Sequence, residues 1–277
     1  MHMFKKSMVV APPSAEFEAV VRVPLENALK ILHELGFEGV ELSILDPNHL
    51  NLKELENILK EYGLEVPALS TGLNYIHYGF SLSSPSLEKR KAAISRLKDF
   101  INLGENLGAG VIIGLMRGRL EGKMSKDEAY KYMVEGLREV CNYAENRGVK
   151  VFFEPLNRYE TELVNTVEEA IKLCKIVGTG ALYLLLDTFH MNIEEPVIED
   201  SIIKARGLIG HVHVADSNRY APGMGHIDFK SVLKALREAG YQGYLSAEIV
   251  IKPDFKTAAK FTLETLKNAE EEVFKSS

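Results

Sequence analysis

Residues 148–154 read Gly148-Val149-Lys150-Val151-Phe152-Phe153-Glu154: a glycine, a short apolar run, and a carboxylate where the run stops. The phrase recurs. Gly178 precedes Ala181-Leu182-Tyr183-Leu184-Leu185-Leu186-Asp187, and Gly207 precedes Leu208 to Asp216, with His211-Val212-His213-Val214 inside it. Gly240 precedes Gly243-Tyr244-Leu245-Ser246-Ala247-Glu248. Each glycine follows a stretch with helical periodicity, as a glycine just past a helix C-terminus does. The helices expected here open at the capping boxes Ser125 to Glu128 and Thr166 to Glu169, then near Ile202 to Arg206 and from Phe229 to Ala239, with a last one from Phe255 to Phe274.

The first half carries the same rhythm. Amphipathic helices are expected over Leu25 to Leu35, Leu52 to Tyr62 and Leu87 to Leu107, stopped by Gly36, Gly63 and Gly108. The runs Gly39 to Ile44, Val66 to Ser70 and Gly110 to Leu115 follow them, and Met8-Val9-Val10 supplies the first strand. Strands this short and this continuously apolar are buried on both faces and parallel. Eight strand–helix units in about 250 residues make an α/β chain with the (β/α)8 TIM barrel architecture. A single domain over 1–277 is the economical reading, since no linker or charge block interrupts the chain. An open doubly wound sheet is the rival; it needs no eighth unit, and no glycine-rich dinucleotide loop follows the first strand.

Composition narrows the function. The chain has 277 residues, 46% hydrophobic and 26% charged, with a formal net charge of -6. That charge gives no general attraction for nucleic acid, and the apolar runs fall short of the roughly 20 residues that span a membrane. Cys141 and Cys174 form no CxxC pair, which suits a reducing, cytoplasmic setting. Met8 to Ala11 is too short a run for a signal peptide, and His2, inside Met1-His2-Met3, is given no role.

In a barrel of this kind the chemistry sits at the C-terminal ends of the strands. Strands five to eight each place a metal-competent residue there: Glu154, Asp187, His213 and Glu248. A carboxylate closing a buried apolar strand is costly unless it is paired or bound to a cation. One would be a cap or an ion pair, but residues on consecutive strands point to a shared ion. Three carboxylates and one imidazole suit Mn2+, Mg2+ or Co2+ better than a structural zinc. His211 and His213 point the same way along one strand, His213 as the outer ligand candidate and His211 as its packed neighbour.

These residues resemble the xylose-isomerase-like sugar isomerase and epimerase superfamily, and within it ketose 3-epimerases of the D-tagatose 3-epimerase type. The resemblance lies in Glu154-Pro155-Leu156-Asn157-Arg158-Tyr159-Glu160, Asp187-Thr188-Phe189-His190-Met191-Asn192-Ile193-Glu194-Glu195, Gly210 to Arg219, and Pro222 to Asp228. It implies an isomerase that epimerises a ketose through an enediolate. It also implies one divalent ion per subunit, Mn2+ first, on Glu154, Asp187, His213 and Glu248. Glu154 and Glu248 would be the acid/base pair, and Glu160, His190 and Arg219 would hold the substrate. Relatives being often dimers or tetramers, a homo-oligomer is expected, with a small sugar as partner and neither nucleic acid nor membrane.

The chemistry agrees: inverting a carbon beside a ketone takes two bases and a positive centre for the enediolate. After strand four this chain departs from the family in reading Leu115-Met116-Arg117-Gly118-Arg119-Leu120. Arg117 and Arg119 at the mouth would grip a carboxylate, which suggests a keto-sugar acid such as a tagaturonate or keto-gluconate. The loop Ser70 to His77 is expected to line the sugar. Aldose–ketose or hydroxypyruvate-type isomerisation, or inosose dehydration, would use the same proton abstraction. An endonuclease IV-like DNA repair enzyme shares Glu154, Asp187, His190, His213 and Glu248, but needs further histidines that the loops here do not offer, His77 aside. A non-catalytic binder has no use for paired glutamates.

Overall fold

The computed structural model describes residues 4–275, with the side chain of Phe274 left out; His2 lies outside them. Among these residues the barrel strands are β1 (Lys5–Ala11), β3 (Glu41–Ser43), β4 (Ala68–Ser70), β5 (Gly110–Ile113), β6 (Val151–Phe153), β7 (Leu182–Asp187), β8 (Ile209–Val214) and β9 (Tyr244–Ala247). A two-residue strand, β2 (Val21–Arg22), pairs with the far end of β1. Each barrel strand pairs in parallel with the next, and β1 pairs with β9 through Lys5–Tyr244 to Met8–Ala247, so the sheet closes on itself. That closure removes the open-sheet alternative.

The connecting helices are α1 (Leu25–Leu35), α2 (Leu52–Tyr62), α4 (Leu87–Leu107), α5 (Lys126–Glu145), α6 (Val167–Val177), α8 (Ile198–Lys204), α9 (Phe229–Glu238) and α10 (Phe255–Lys275). Most lie where periodicity puts them. The capping box at Thr166 is complete, with Glu169 reaching back to the Thr166 amide. Ser125 accepts from the Glu128 amide, but the Glu128 carboxylate takes the Tyr132 hydroxyl at 2.9 Å, so that box is half made. The helix expected near Ile202 to Arg206 runs earlier, over α8. Two short helices at the strand C-termini carry too few turns for a periodic signal: α3 (Gly72–Tyr78) and α7 (Thr188–Glu194).

Alternation along the strands decides what faces the axis. Leu42, Val151, Phe153, Leu184, Leu186, Val212, Val214, Leu245 and Ala247 join the core between sheet and helices. Their neighbours Glu41, Glu154, Asp187, His211, His213, Ser246 and Glu248 therefore point inward. Ala68, Ile112, Phe152 and Leu185 fill the N-terminal end of the interior, and Val9, Ala11 and Leu73 fill part of the other. Gly110 exists for the Phe152 ring: a Cβ there would lie 2.1 Å from it.

One buried ion pair fastens α10 to β1. Lys6 Nζ donates to Glu270 Oε2 at 2.6 Å and to the Phe4 carbonyl, while Glu270 Oε1 accepts from the Phe4 amide at 2.9 Å. Removing one partner strands a buried charge, at a cost of about 3–5 kcal/mol. Lys6→Met is expected to lose that much in urea unfolding. Cys141 and Cys174 are buried free thiols, pushed by burial up to about 12 and about 11. Thiolate is therefore scarce at pH 8, and a thiol-reactive dye is expected to label neither cysteine until the protein is unfolded.

Candidate active site

The inward residues at the strand C-termini meet. Glu154, Asp187, His213 and Glu248 each offer a ligand atom, and those atoms lie within 4.8 Å of one another, all buried. His213 Nδ1 is 3.7 Å from Glu154 Oε1, 4.0 Å from Asp187 Oδ2 and 3.9 Å from Glu248 Oε2. Glu154 Oε1, Asp187 Oδ2 and His213 Nδ1 are buried without a hydrogen-bond partner. Buried polar atoms are normally satisfied, so an orphaned trio sharing one point fits a cation. Gly114 makes room on one side, since a Cβ there would sit 2.6 Å from Glu154 Oε2.

Local structure aims each group. Asp187 is the N-cap of α7: its Oδ1 accepts from the Phe189 amide at 2.7 Å, which turns Oδ2 to the centre. His213 is held from behind by Glu41, which accepts from its Nε2 at 2.9 and 3.1 Å. His211 Nε2 donates to the same carboxylate at 2.9 Å. His190 also points inward, with Nε2 3.8 Å from both Glu154 Oε1 and Asp187 Oδ2. Its Nδ1 accepts from the Asn157 amide at 3.3 Å and meets Asn157 Nδ2 at 2.7 Å. The proton therefore sits on Nε2, which makes His190 a donor toward the pocket and no ligand. Burial drops its pKa to about 3, so it is neutral near pH 7.

Burial and the Glu154 carboxylate push Asp187 up to about 6. Burial also takes Glu248 to about 8, against the pull of His213 and Arg219. Glu154 stays below the usual carboxylate range: burial opposes its charge, but the neighbouring His213 and Arg117 outweigh it. The cluster is rich in negative charge, and Glu154 raises both Asp187 and Glu248.

Arg219 joins the two sides of the mouth, donating to Glu160 at 3.0 Å and to Glu248 at 2.8 Å, with its guanidinium over the Phe17 and Phe189 rings. Its backbone is left-handed (φ 63°). The Arg219 amide donates to the Asp216 carbonyl and its carbonyl accepts from the Val250 amide, while the Asp216 carboxylate takes the amides of Ser217, Gly223 and Ile227. That explains the Pro222 to Asp228 turn. Glu154, Glu160, His190, Arg219 and Glu248 share a pocket whose other wall is Phe17, Leu73, Ile76, Leu115 and Leu156, with Ser70 and Thr71 from the expected third loop.

The two loop arginines are elsewhere. Arg117 is 0% exposed and lies flat on Phe153 at 4.0 Å, donating to the carbonyls of Gly114, Leu163 and Val164. Arg119 is turned to Glu162, 3.5 Å away on the surface. Neither lines the pocket. The expected grip on a substrate carboxylate is corrected: the three-residue turn Leu115–Arg117 tucks Arg117 under the loop that follows β6. His77 packs edge-on to Tyr78, also outside the pocket. Glu41, Asn157 and Phe17 carry parts of the site that the sequence did not assign. Glu41 gives the same signal as Glu154, a carboxylate in an apolar run, but inside the run and not where it stops.

The fold and this mouth define an enzyme-bearing barrel class. The family model described as xylose isomerase-like TIM barrel matches residues 29–269, and the chain belongs to that family. It is similar to an L-ribulose 3-epimerase of Mesorhizobium japonicum, 32% identical over 226 residues covering 81% of this chain and 75% of the relative. It is also similar to a 3-dehydro-D-guloside 4-epimerase of Escherichia coli, 31% identical over 236 residues covering 80% and 87%. A solved L-ribulose 3-epimerase structure superposes with a TM-score of 0.84 at 28% identity, covering 99% of this chain and 97% of that one.

If the cluster takes an ion, binding stabilises the folded state by about 2.7 kcal/mol at a hundredfold excess over Kd. Thermal melts are expected to rise with Mn2+ and fall back with a chelator, and Asp187→Ala is expected to abolish the response.

Proposed function

We propose that the protein is a divalent-metal-dependent ketose epimerase that inverts the carbon next to a ketone. The observation that carries this reading is the placing of Glu154 and Glu248 at the two ends of a four-strand run, β6 to β9, with the orphaned Asp187 and His213 atoms between them and both glutamates lining one pocket. The names of the relatives support it. A ribulose 3-epimerase and a 3-dehydroguloside 4-epimerase work at different carbons, but each carbon adjoins a ketone.

Glu154, Asp187, His213 and Glu248 would hold the ion, which when bound supplies positive charge for the oxygens that become negative as the substrate loses its proton. An oxygen-rich set of this kind suits Mn2+ first, with Co2+ and Mg2+ as alternatives. One glutamate takes the proton from the carbon beside the carbonyl, leaving an enediolate. The other, protonated, returns a proton to the opposite face, so the substrate's proton count is restored and the pair has exchanged states. His190 Nε2–H donates to the carbonyl oxygen as charge builds there. Arg219 keeps Glu248 and Glu160 in place, and Phe17, Leu73 and Ile76 cover the sugar against water. With the loop arginines turned away, the substrate in this reading is a neutral ketose. The free thiols fit a cytoplasmic enzyme, and a homo-oligomer is part of the same reading.

The test is NMR in D2O with pentuloses and hexuloses and the Mn2+-loaded protein. Deuterium should enter at the carbon adjoining the ketone, and the inverted sugar should appear. Glu154→Gln and Glu248→Gln should each lower kcat by about 10²–10⁴-fold. Deuterium at the terminal carbon with aldose formed would make the enzyme an isomerase of the aldose–ketose kind, and no exchange with any ketose would sink the proposal.

A further inference from the structure

We infer that Glu41 is a positioning residue: it fixes the tautomer and orientation of His213 so that Nδ1 presents its lone pair to the ion. This rests on the metal reading above and adds a residue to it.

Glu41 sits in the middle of the barrel interior and is fully buried, its neighbour Leu42 being turned to the helices. Donors close around its two oxygens: His213 Nε2 at 2.9 and 3.1 Å, His211 Nε2 at 2.9 Å, and the Ser70 hydroxyl. A carboxylate so surrounded only accepts, so both imidazoles carry a proton on Nε2. For His213 that reserves Nδ1 for the ion, and Nδ1 is the orphaned atom aimed at Glu154, Asp187 and Glu248. The other tautomer would set a lone pair against the Glu41 carboxylate and an N–H against the ion. A partner of this kind on the far nitrogen of a ligating histidine is the common arrangement at metal sites.

His211 completes the device without touching the ion. Its ring stacks on Phe152 at 5.5 Å and 13°, and meets His213 edge-on at 5.4 Å. A buried carboxylate needs more than one donor, and His211 brings a second from below. His211 and Phe152 also line a separate cavity of about 710 Å³ at the opposite end of the strands, so the polar column runs from that cavity to the active-site mouth. Glu41, His211 and His213 could alternatively hold an ion of their own. Hydrogen-bond distances from both Nε2 atoms to one carboxylate favour the positioning role.

The experiment is Mn2+ titration of the metal-free protein, following free Mn2+ by electron paramagnetic resonance, with urea unfolding of the same samples without metal. The proteins are wild type, Glu41→Gln, Glu41→Asp and Lys6→Met. Wild type should bind one ion per chain. Glu41→Gln should bind it about 10–100-fold more weakly, and Glu41→Asp, charged but a methylene short, should fall between. Lys6→Met should lose stability yet keep its affinity, which separates positioning from general loosening. Wild-type affinity in Glu41→Gln, or the same loss in Lys6→Met, overturns the inference, and two ions per chain overturn it in favour of a second site. If Glu41→Gln does not fold, wild-type affinity in Glu41→Asp overturns it. A wild-type protein that binds no Mn2+ overturns the metal reading itself, and this inference with it.

Discussion

Negative charge crowded into one buried point is the constraint around which the mouth of this barrel is organised. Glu154, Asp187 and Glu248 bring carboxylates to a spot beside His213, and there Glu154 Oε1, Asp187 Oδ2 and His213 Nδ1 have no hydrogen bond. Such a cluster is stable only when something positive or protonated enters it. The surroundings spend their hydrogen bonds on the outer atoms of Asp187, through the Phe189 amide, and of His213, through Glu41, while Arg219 holds Glu248 at the rim. What is left free is turned to the middle.

The barrel makes this possible because its strands alternate. Apolar residues facing the helices hold the wall together, and the intervening positions are released for a polar column. Below that column Phe152 and Ile112 fill the floor, and above it the short helices α3 and α7 and the loop after β8 carry groups that line the pocket. Phe17 and Phe189 both lie against the Arg219 cation, so the residue bridging Glu160 and Glu248 is held both by charge and by aromatic rings.

Much of this was legible in the chain. The repeated glycine, apolar run and carboxylate give the strand–helix alternation and name the ends that carry Glu154, Asp187 and Glu248, because period and punctuation are local properties. Arg117 was misleading for the opposite reason. Its sequence position places it at the mouth, but its side chain is long enough to turn back under Leu163 and Val164, where carbonyls and the Phe153 ring receive it. Glu41 is not legible in this way, because its meaning depends on two histidines 170 and 172 residues away, which only the closed barrel brings beside it.

The latch between Lys6 and Glu270 has a consequence for how the molecule is made. Its two halves lie 264 residues apart in the chain, and β1 and β9, which close the sheet, are nearly as distant. A ribosome delivering the chain from its N-terminus therefore presents β1 long before either partner exists. Until then the growing polypeptide carries an unpaired strand edge and an unneutralised lysine in what will be its interior, a state that chaperones recognise. Completion of the barrel thus waits for the synthesis of β9 and α10, when the last helix comes onto the first strand.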